Sequence, residues 1–111
     1  MLRFRLKPII WIAALRKRAE AAGAFVMVLQ KGDPDGGSVA IIVEGPKGES
    51  VLYTAQTQMD GTRAWHREAE ISPLEIQSRI TALTHMDEDM WVLEITDSLG
   101  RHFLDETILN N

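Results

Sequence analysis

The stretch LQKGDPDGGSVAIIV, residues 29–43, decides the fold because it joins two apolar runs through one short polar segment. Asp33-Pro34-Asp35-Gly36 places Asp, Pro and Gly at the first, second and fourth positions, where a type I β-turn prefers them. Gly36 or Gly37 can then supply the left-handed residue of a bulge. The segment therefore predicts a hairpin-length connection between strands at Ala24–Gln30 and Ser38–Glu44.

The same segment is a poor ion-binding loop. Glu44 is the twelfth residue counted from Asp33, as in a calcium loop, but Ser38 replaces the required glycine and no helices flank the segment. The chain has no glycine-rich phosphate motif, and the two aspartates would repel phosphate. A turn is the favoured interpretation.

Two helices are predicted, one before and one after the first four predicted strands along the chain. Residues 8–22 have Pro at the first helical position and Gly23 as a stop. The second helix runs from Ser72 to about Met86, and Ser72 with Glu75 matches a capping box.

The remaining strands follow from their β-branched and aromatic content and from the turns around them. They are predicted at Ser50–Gln56, Arg63–Glu68, Met90–Thr96 and, more briefly, Arg101–Leu104. Short connections favour antiparallel pairing, since parallel neighbours need crossovers of a dozen or more residues. We predict one α+β domain over residues 1–111, with an antiparallel sheet of about five strands in the order α-β-β-β-β-α-β(-β). Residues 105–111 are expected to be a loose tail.

Composition is that of an ordinary globular chain, with 45% hydrophobic and 25% charged residues among 111. The absence of cysteine excludes disulfides, thiolate metal sites and cysteine nucleophiles, and it fits a reducing cytoplasm. The apolar stretch Pro8–Leu15 is too short to span a bilayer, and Arg16-Lys17-Arg18 follows where a signal peptide would have a cleavage site. We therefore expect a cytoplasmic protein without a membrane segment.

Charge is distributed unevenly along the chain. Residues 1–31 carry a net +6 and residues 67–111 a net −7, although the whole chain is only −4. We predict that Arg16 or Arg18 pairs with an acid of the second half, namely Asp87, Asp89 or Glu94. The alternative is a nucleic-acid binder that uses Arg16–Arg18, but three basic residues in an acidic chain give it little support.

The segment HMDEDMW, residues 85–91, is a second cluster of ionisable side chains that could form a functional site. Asp87 and Asp89, with His85 nearby, could serve a small metal-dependent enzyme. Acids after a helix C-terminus oppose the helix dipole, so salt bridging is the favoured interpretation. His66 and His102 are further general-base candidates, but no catalytic motif accompanies any of the three histidines. No metal or cofactor is predicted.

Three segments together resemble a family of small alphaproteobacterial proteins known only as a domain of unknown function. They are WIAALRKRAEAAGAF, KGDPDGGSVAIIV and MDEDMWVLEITDSLGRHFLDE. The family pattern includes an Asp-x-Asp-x-Trp segment and a Gly-Arg turn, matched here by Asp87, Asp89, Trp91 and Gly100-Arg101. The chain departs from it at Glu88, where proline is usual, and at Thr96, where an acid is usual. The resemblance implies no activity.

The functional prediction is a non-enzymatic domain that contacts another protein or a second copy of itself. If both helices cover one sheet face, the other face exposes apolar side chains that a homodimer would bury. These are Val26, Val28, Ala40, Ile42 and Leu52. The candidate binding residues are Arg16, Arg18, Asp87, Asp89 and Trp91.

Overall fold

The computed structural model describes residues 7–69 and 71–110. Within these ranges the chain forms two α-helices and six β-strands, in the order α1, β1, β2, β3, β4, α2, β5, β6. The helices are α1 (Pro8–Ala21) and α2 (Pro73–Met86). The strands are β1 (Phe25–Gln30), β2 (Val39–Glu44), β3 (Ser50–Thr57), β4 (Arg63–Glu68), β5 (Trp91–Thr96) and β6 (Thr107–Asn110).

The six described strands form one sheet in the spatial order β1-β5-β2-β3-β4-β6. Pairings β1–β5, β2–β3 and β3–β4 are antiparallel, whereas β2–β5 and β4–β6 are parallel. The α+β prediction is confirmed, but the sheet is mixed and the prediction of an antiparallel sheet is wrong in this respect. The chain between β2 and β5 contains β3, β4 and α2, and the chain between β4 and β6 contains α2 and β5, so both parallel pairs have the long connection that they require.

The connection between β1 and β2 is not a hairpin, because β5 lies between these two strands. The predicted turn does form at residues 34–36, and Asp33 Oδ1 accepts a hydrogen bond from the Asp35 amide at 3.1 Å. The loop uses this turn to pass over the start of β5: the Asp33 amide donates to the Asp89 carbonyl at 3.0 Å. The turn was predicted correctly and its role was not.

The C-terminal segment also differs from its prediction: Arg101–Leu104 does not form the predicted short strand. Residues 105–111 were expected to be a loose tail, but Thr107–Asn110 forms β6 and pairs with β4 in parallel register. The Trp65 indole N–H in β4 donates to Glu106 Oε1 at 3.0 Å, which holds the approach to this strand.

The two helices cover opposite faces of the sheet. The α1 face contains the larger core cluster, which includes Trp11, Leu15, Trp65 and Leu93. The α2 face contains a smaller one, formed by Ala40, Leu52, Met90 and Val92 with Ile80 and Leu83 packed against them. The expectation that one face lacks a helix is therefore wrong, and Val26, Ala40 and Leu52 are buried.

Local signals at the helix ends are confirmed. The Ser72 hydroxyl accepts from the Glu75 amide at 3.1 Å, and the Glu75 carboxylate accepts from the Ser72 amide, which completes the capping box. Helix α1 ends at Ala21, and Gly23 has a φ of +92°. None of the helices in the described residues has the length and apolar character needed to cross a membrane.

Candidate functional site

Strand β1 carries a row of exposed apolar side chains. Phe25, Met27 and Leu29 are 60%, 45% and 48% exposed, while the alternating residue Val26 is buried in the core beneath α1. Phe25 pairs with Thr96 of β5 and Met27 pairs with Glu94. Because cross-strand partners share a sheet face, Phe25 and Met27 lie on the α2 face. Leu29 lies in the register shift between Val28 and Gln30 and has no paired partner in β5. We call the three exposed residues Phe25, Met27 and Leu29 the β1 row.

Helix α2 leaves the β1 row uncovered because it packs over the middle of the sheet. Its inward side chains contact a cluster that belongs to β2, β3 and the start of β5. Strand β1 is the edge beyond β5, and none of its residues belongs to the cluster beneath α2. Large apolar side chains at the edge of a face are thus left in contact with solvent.

A groove runs between the end of β1 and the C-terminal half of α2. Its volume is about 410 Å³, and it is lined by Gln30, Lys31, Thr81, Thr84, His85 and Glu88. The Gln30 side-chain amide donates to the Met90 carbonyl at 3.1 Å and so fixes the groove at its β1 end. We call this feature the β1–α2 groove. It contains His85, one of the predicted site residues, but neither Asp87 nor Asp89.

The outer backbone edge of β1 is occupied by a helix side chain. Arg16 Nη2 lies 3.1 Å from the Val26 carbonyl oxygen, and Arg16 Nε lies 3.5 Å from Glu20 Oε2. The register of β1 also shifts between Val28 and Gln30, where the strand has an irregularity of the β-bulge type. A side chain on the edge and a bulge are two devices that natural sheets use against edge-to-edge pairing.

The predicted ion pairs between α1 and the acidic segment do not form. Among the described residues, Arg16 pairs with Glu20, and Arg18 Nη2 donates to the Phe103 carbonyl at 3.1 Å. The acceptors for these two arginines are the Glu20 carboxylate and the carbonyls of Val26 and Phe103. They take the place of the predicted partners Asp87, Asp89 and Glu94. The prediction was wrong because overall charge asymmetry does not determine which acceptors lie within reach.

The link between α1 and the acidic half is made by Asp97 and Arg101. Asp97 is buried; its carboxylate accepts from Arg101 Nε at 2.8 Å and Nη2 at 2.9 Å, and from the Leu99 and Arg101 amides. Arg101 Nη2 also donates to the Ala22 carbonyl at 3.1 Å, at the end of α1. The hydrogen bonds from the Arg101 side chain hold the pKa of Asp97 well below its ordinary value. The sequence indicated a turn here and gave no sign of the buried ion pair.

The other predicted site residues hold the loop between β1 and β2. We call it the crossing loop because it passes over the start of β5. The Asp87 carboxylate accepts from the Asp89 amide at 3.0 Å, and the Trp91 indole N–H donates to the Asp33 carbonyl at 2.7 Å. Gly37 packs so closely on the Asp89 carbonyl that a Cβ atom would collide with it. Asp87, Asp89 and Trp91 therefore support the chain crossing above β5.

The described residues offer no set of metal ligands. No group of three or more His, Asp and Glu side chains in residues 7–69 and 71–110 is placed to hold an ion. His102 Nδ1 accepts from the Leu104 amide at 2.8 Å, and its ring packs edge-on against Tyr53. Burial lowers the pKa of His102, and the charge of Arg67 adds to the effect. His102 is therefore held by the fold, away from the β1–α2 groove.

The sequence alone does not reveal that the β1 row is exposed. A strand that is apolar on both faces is typical of the centre of a sheet, whereas the insertion of β5 places β1 at an edge.

Comparison with known proteins gives a consistent family. A family model described as "Protein of unknown function (DUF1491)" matches residues 6–105. The crystal structure of a DUF1491 family protein from Caulobacter crescentus CB15 is 35% identical with a TM-score of 0.85, covering 95% of this chain and 100% of that one. An NMR structure of a DUF1491 family protein from the same organism is also 35% identical, with a TM-score of 0.87 and coverage of 96% and 99%.

A third solved structure is more distant in sequence. The solution structure of protein Atu0922 from A. tumefaciens is 25% identical, with a TM-score of 0.80 and coverage of 96% of this chain and 98% of that one. No curated protein matches the chain. The resemblance inferred from the sequence is confirmed by the family model and by these structures.

Proposed function

The chain belongs to the DUF1491 family, and from this starting point we propose that it works by protein contact, associating with a second copy of itself through the β1 row. The observation that carries the proposal is the row itself, in which three large apolar side chains are about half exposed on one edge strand. Contiguous exposed apolar surface of this kind often marks an interaction site, and Phe and Met are enriched in interface cores. We propose the cytoplasm as the compartment, because a chain without cysteine needs no oxidising environment.

Burial of the β1 row alone roughly balances the cost of association. Full burial of such a side chain contributes about 1.5–3 kcal/mol, so burying the exposed halves of six side chains gives about 4.5–9 kcal/mol. Association costs roughly 4–15 kcal/mol in lost freedom of motion. A stable dimer therefore needs further contacts, and we propose that the surface around Gln30 and Lys31, at the end of β1, provides them.

Sedimentation velocity over a concentration series tests the proposal. The wild-type chain should shift from a 12.5 kDa monomer towards twice that mass as its concentration rises through the micromolar range. Met27→Glu should hold the chain as a monomer, because dimerisation would desolvate the new carboxylate.

Met59→Glu is the matched control, since it makes the same substitution at a fully exposed methionine in the turn between β3 and β4. It should dimerise like the wild type. A wild-type chain that stays at 12.5 kDa after a tenfold rise in concentration would contradict the proposal, as would equal effects of the two substitutions. Circular dichroism confirms that both variants fold.

A further inference from the structure

We propose that the neutral ring of His102 holds the chain in place before β6, and that protonation of this ring releases β6 from β4. The contact that carries the proposal is a hydrogen bond in which His102 Nδ1 accepts from the Leu104 amide at 2.8 Å. It lies in residues 101–106, which precede β6 and form no helix or strand. The position of β6 therefore depends on a few side-chain contacts in this segment. The proposal does not require self-association of the chain.

Only a neutral imidazole can make this hydrogen bond. A ring nitrogen accepts while it carries no proton, so the neutral form must have its proton on Nε2, whereas in the imidazolium both nitrogens are donors. Protonation would set the Nδ1–H of His102 against the N–H of Leu104. Because Leu104 belongs to the buried core beneath α1, an amide that loses its acceptor there is costly. The contact that fixes the segment thus becomes a repulsive one.

The side chains around the ring do not favour a positive charge. The ring packs edge-on against Tyr53 of β3, and Arg67 of β4 lies opposite Tyr53 in the sheet. From α1, Arg18 reaches the carbonyl of the next residue, Phe103. Burial, together with the charge of Arg67, lowers the pKa of His102 below its ordinary value of 6.5. The titratable groups that β3, β4 and α1 present near His102 are therefore a phenol and two arginines.

The acids closest to His102 along the chain are engaged elsewhere or exposed. The Asp97 carboxylate pairs with the Arg101 guanidinium at 2.8 Å. Glu106 accepts from an indole N–H of β4 at 3.0 Å, and Asp105 is exposed. Within the described part of the chain, none of these three acids forms an ion pair with His102. An added proton on the ring is therefore not compensated by them.

The residue between the two bonded positions is strained. Phe103 has a φ of +59°, in the left-handed region, where a bulky side chain persists only if surrounding contacts enforce it. One such contact is the bond between His102 and Leu104, which spans Phe103; the other is the hydrogen bond from Arg18 Nη2 to the Phe103 carbonyl at 3.1 Å. Loss of the first contact would let Phe103 return to an ordinary conformation and redirect the chain that leads to β6.

Strand β6 is suited to local release. It has four residues, lies at an edge of the sheet and pairs with β4. Of its side chains, Ile108 packs against the core beneath α1. Segments with few buried contacts open at a lower free energy than core strands do. Residues 103–110 should therefore open while the other five strands remain folded.

The direction of the pH effect follows from the two states of the ring. In the open segment the pKa of His102 returns to its ordinary value of 6.5, whereas in the closed segment the pKa is lower. Opening therefore takes up a proton once the pH falls below 6.5. The equilibrium constant for opening should then rise by up to about tenfold for each unit by which the pH falls, until the pKa of the closed form is reached.

Hydrogen exchange followed by NMR on the whole chain tests this release. Protection factors of the amides in β6, corrected for the intrinsic pH dependence of exchange, are measured at pH 7.5 and pH 5.5, and the His102 ring is titrated in the same samples. Protection in β6 should fall by at least about threefold, while the amides of β2 and β5 stay protected. If β6 is equally protected at both pH values, or unprotected at both, the proposal is wrong.

Two substitutions at His102 separate the hydrogen bond from the charge. His102→Asn keeps an acceptor for the amide two residues ahead, as asparagine does in turns, but it does not titrate, so protection in β6 should be independent of pH. His102→Ser has the same purpose if His102→Asn does not fold, since a serine hydroxyl makes the same kind of turn. His102→Phe keeps a ring against Tyr53 without an acceptor, so protection in β6 should be low at both pH values.

His66→Asn is the matched control. His66 lies on β4 and pairs with Leu109 of β6, but it lies on the opposite face of the sheet from its neighbour Arg67, because successive side chains of a strand alternate. This variant should keep the pH response of the wild type. A response that persists in His102→Asn, or that disappears in His66→Asn, would overturn the assignment to His102.

Discussion

The Nη2 atom of Arg16 lies 3.1 Å from the carbonyl oxygen of Val26, so a side chain of α1 occupies the free edge of β1. Strand edges that present unpaired backbone groups beside apolar side chains are prone to pair with other chains. Strand β1 has both properties, because it is an edge strand and carries the β1 row. Molecules could associate through the side chains of the β1 row or through backbone pairing along the free edge of β1. Arg16 blocks the backbone edge and leaves the side chains of the row available.

Arg16→Ala should open this edge and produce species larger than a dimer. Once the Val26 carbonyl is free, β1 of one molecule can pair with β1 of the next while the β1 row makes its own contact. Light scattering at raised concentration should then show growth beyond the dimer mass. Lys17→Ala is the matched control, because it removes one positive charge from the same exposed turn of the helix. Equal growth in the two variants would show that net charge, and not the edge contact, is responsible.

How far the fold could be predicted is best seen in the crossing loop. Asp33 and Pro34 favour a turn through their own backbone preferences, and the turn is present. Whether it joins paired strands depends on β5, which lies more than fifty residues further along the chain and enters between β1 and β2. Local chemistry carries no information about that insertion. The capping box at Ser72 was predicted fully because all its atoms lie within four consecutive residues.

The candidate site was harder to predict for the same reason. The residues singled out by charge, Arg16 and Asp87 among them, have their hydrogen bonds satisfied within the fold. The β1 row consists of ordinary strand residues, and their exposure depends on which strand α2 covers. A pattern of apolar residues indicates a strand but does not tell whether a helix reaches it.

Gly37→Ala should destabilise the fold by about 2 kcal/mol or more, as overpacked positions do. A Cβ atom at this position would collide with the Asp89 carbonyl, so either the crossing loop or the start of β5 must shift. Chemical denaturation followed by tryptophan fluorescence measures the loss. Gly36→Ala is the control, because its nearest neighbour would be Asp33 Oδ2 at 3.7 Å, an ordinary contact. If the two variants are equally stable, the close packing of the loop on β5 is not important for stability.

Ser72→Ala should cost about 1 kcal/mol of stability by removing the N-cap of α2. Both hydrogen bonds of the capping box depend on the geometry of this residue, and the Glu75 amide loses its acceptor. Ser78→Ala makes the same substitution on the exposed side of α2 and should be neutral or slightly stabilising, since alanine favours the helix interior. Urea unfolding curves distinguish the two, and a smaller loss at Ser72 than at Ser78 would contradict the role of the cap.

Asp97→Asn should lower the melting temperature at neutral pH by roughly ten degrees, a large effect for a chain of this size. Asparagine can still accept from the Leu99 and Arg101 amides, but it loses the charge that pairs with the Arg101 guanidinium. That guanidinium, through its hydrogen bonds, lowers the pKa of Asp97 from an ordinary value of 3.8. A carboxyl whose pKa is lower in the folded than in the unfolded state stabilises the fold above its unfolded pKa.

The pH dependence of this difference is the sharper test. The contribution of Asp97 is fully present at pH 7 and is lost as the pH falls below about 4 towards the lowered pKa of the folded state. The difference in melting temperature between the wild type and Asp97→Asn should therefore shrink as the pH falls from about 4 towards 2, because acid removes from the wild type part of what the substitution has already removed. Asp105→Asn, at an exposed carboxylate, should follow the wild type at every pH. A gap between wild type and Asp97→Asn that stays constant down to pH 2 would mean that the side-chain charge of Asp97 does not stabilise the link between α1 and the end of β5.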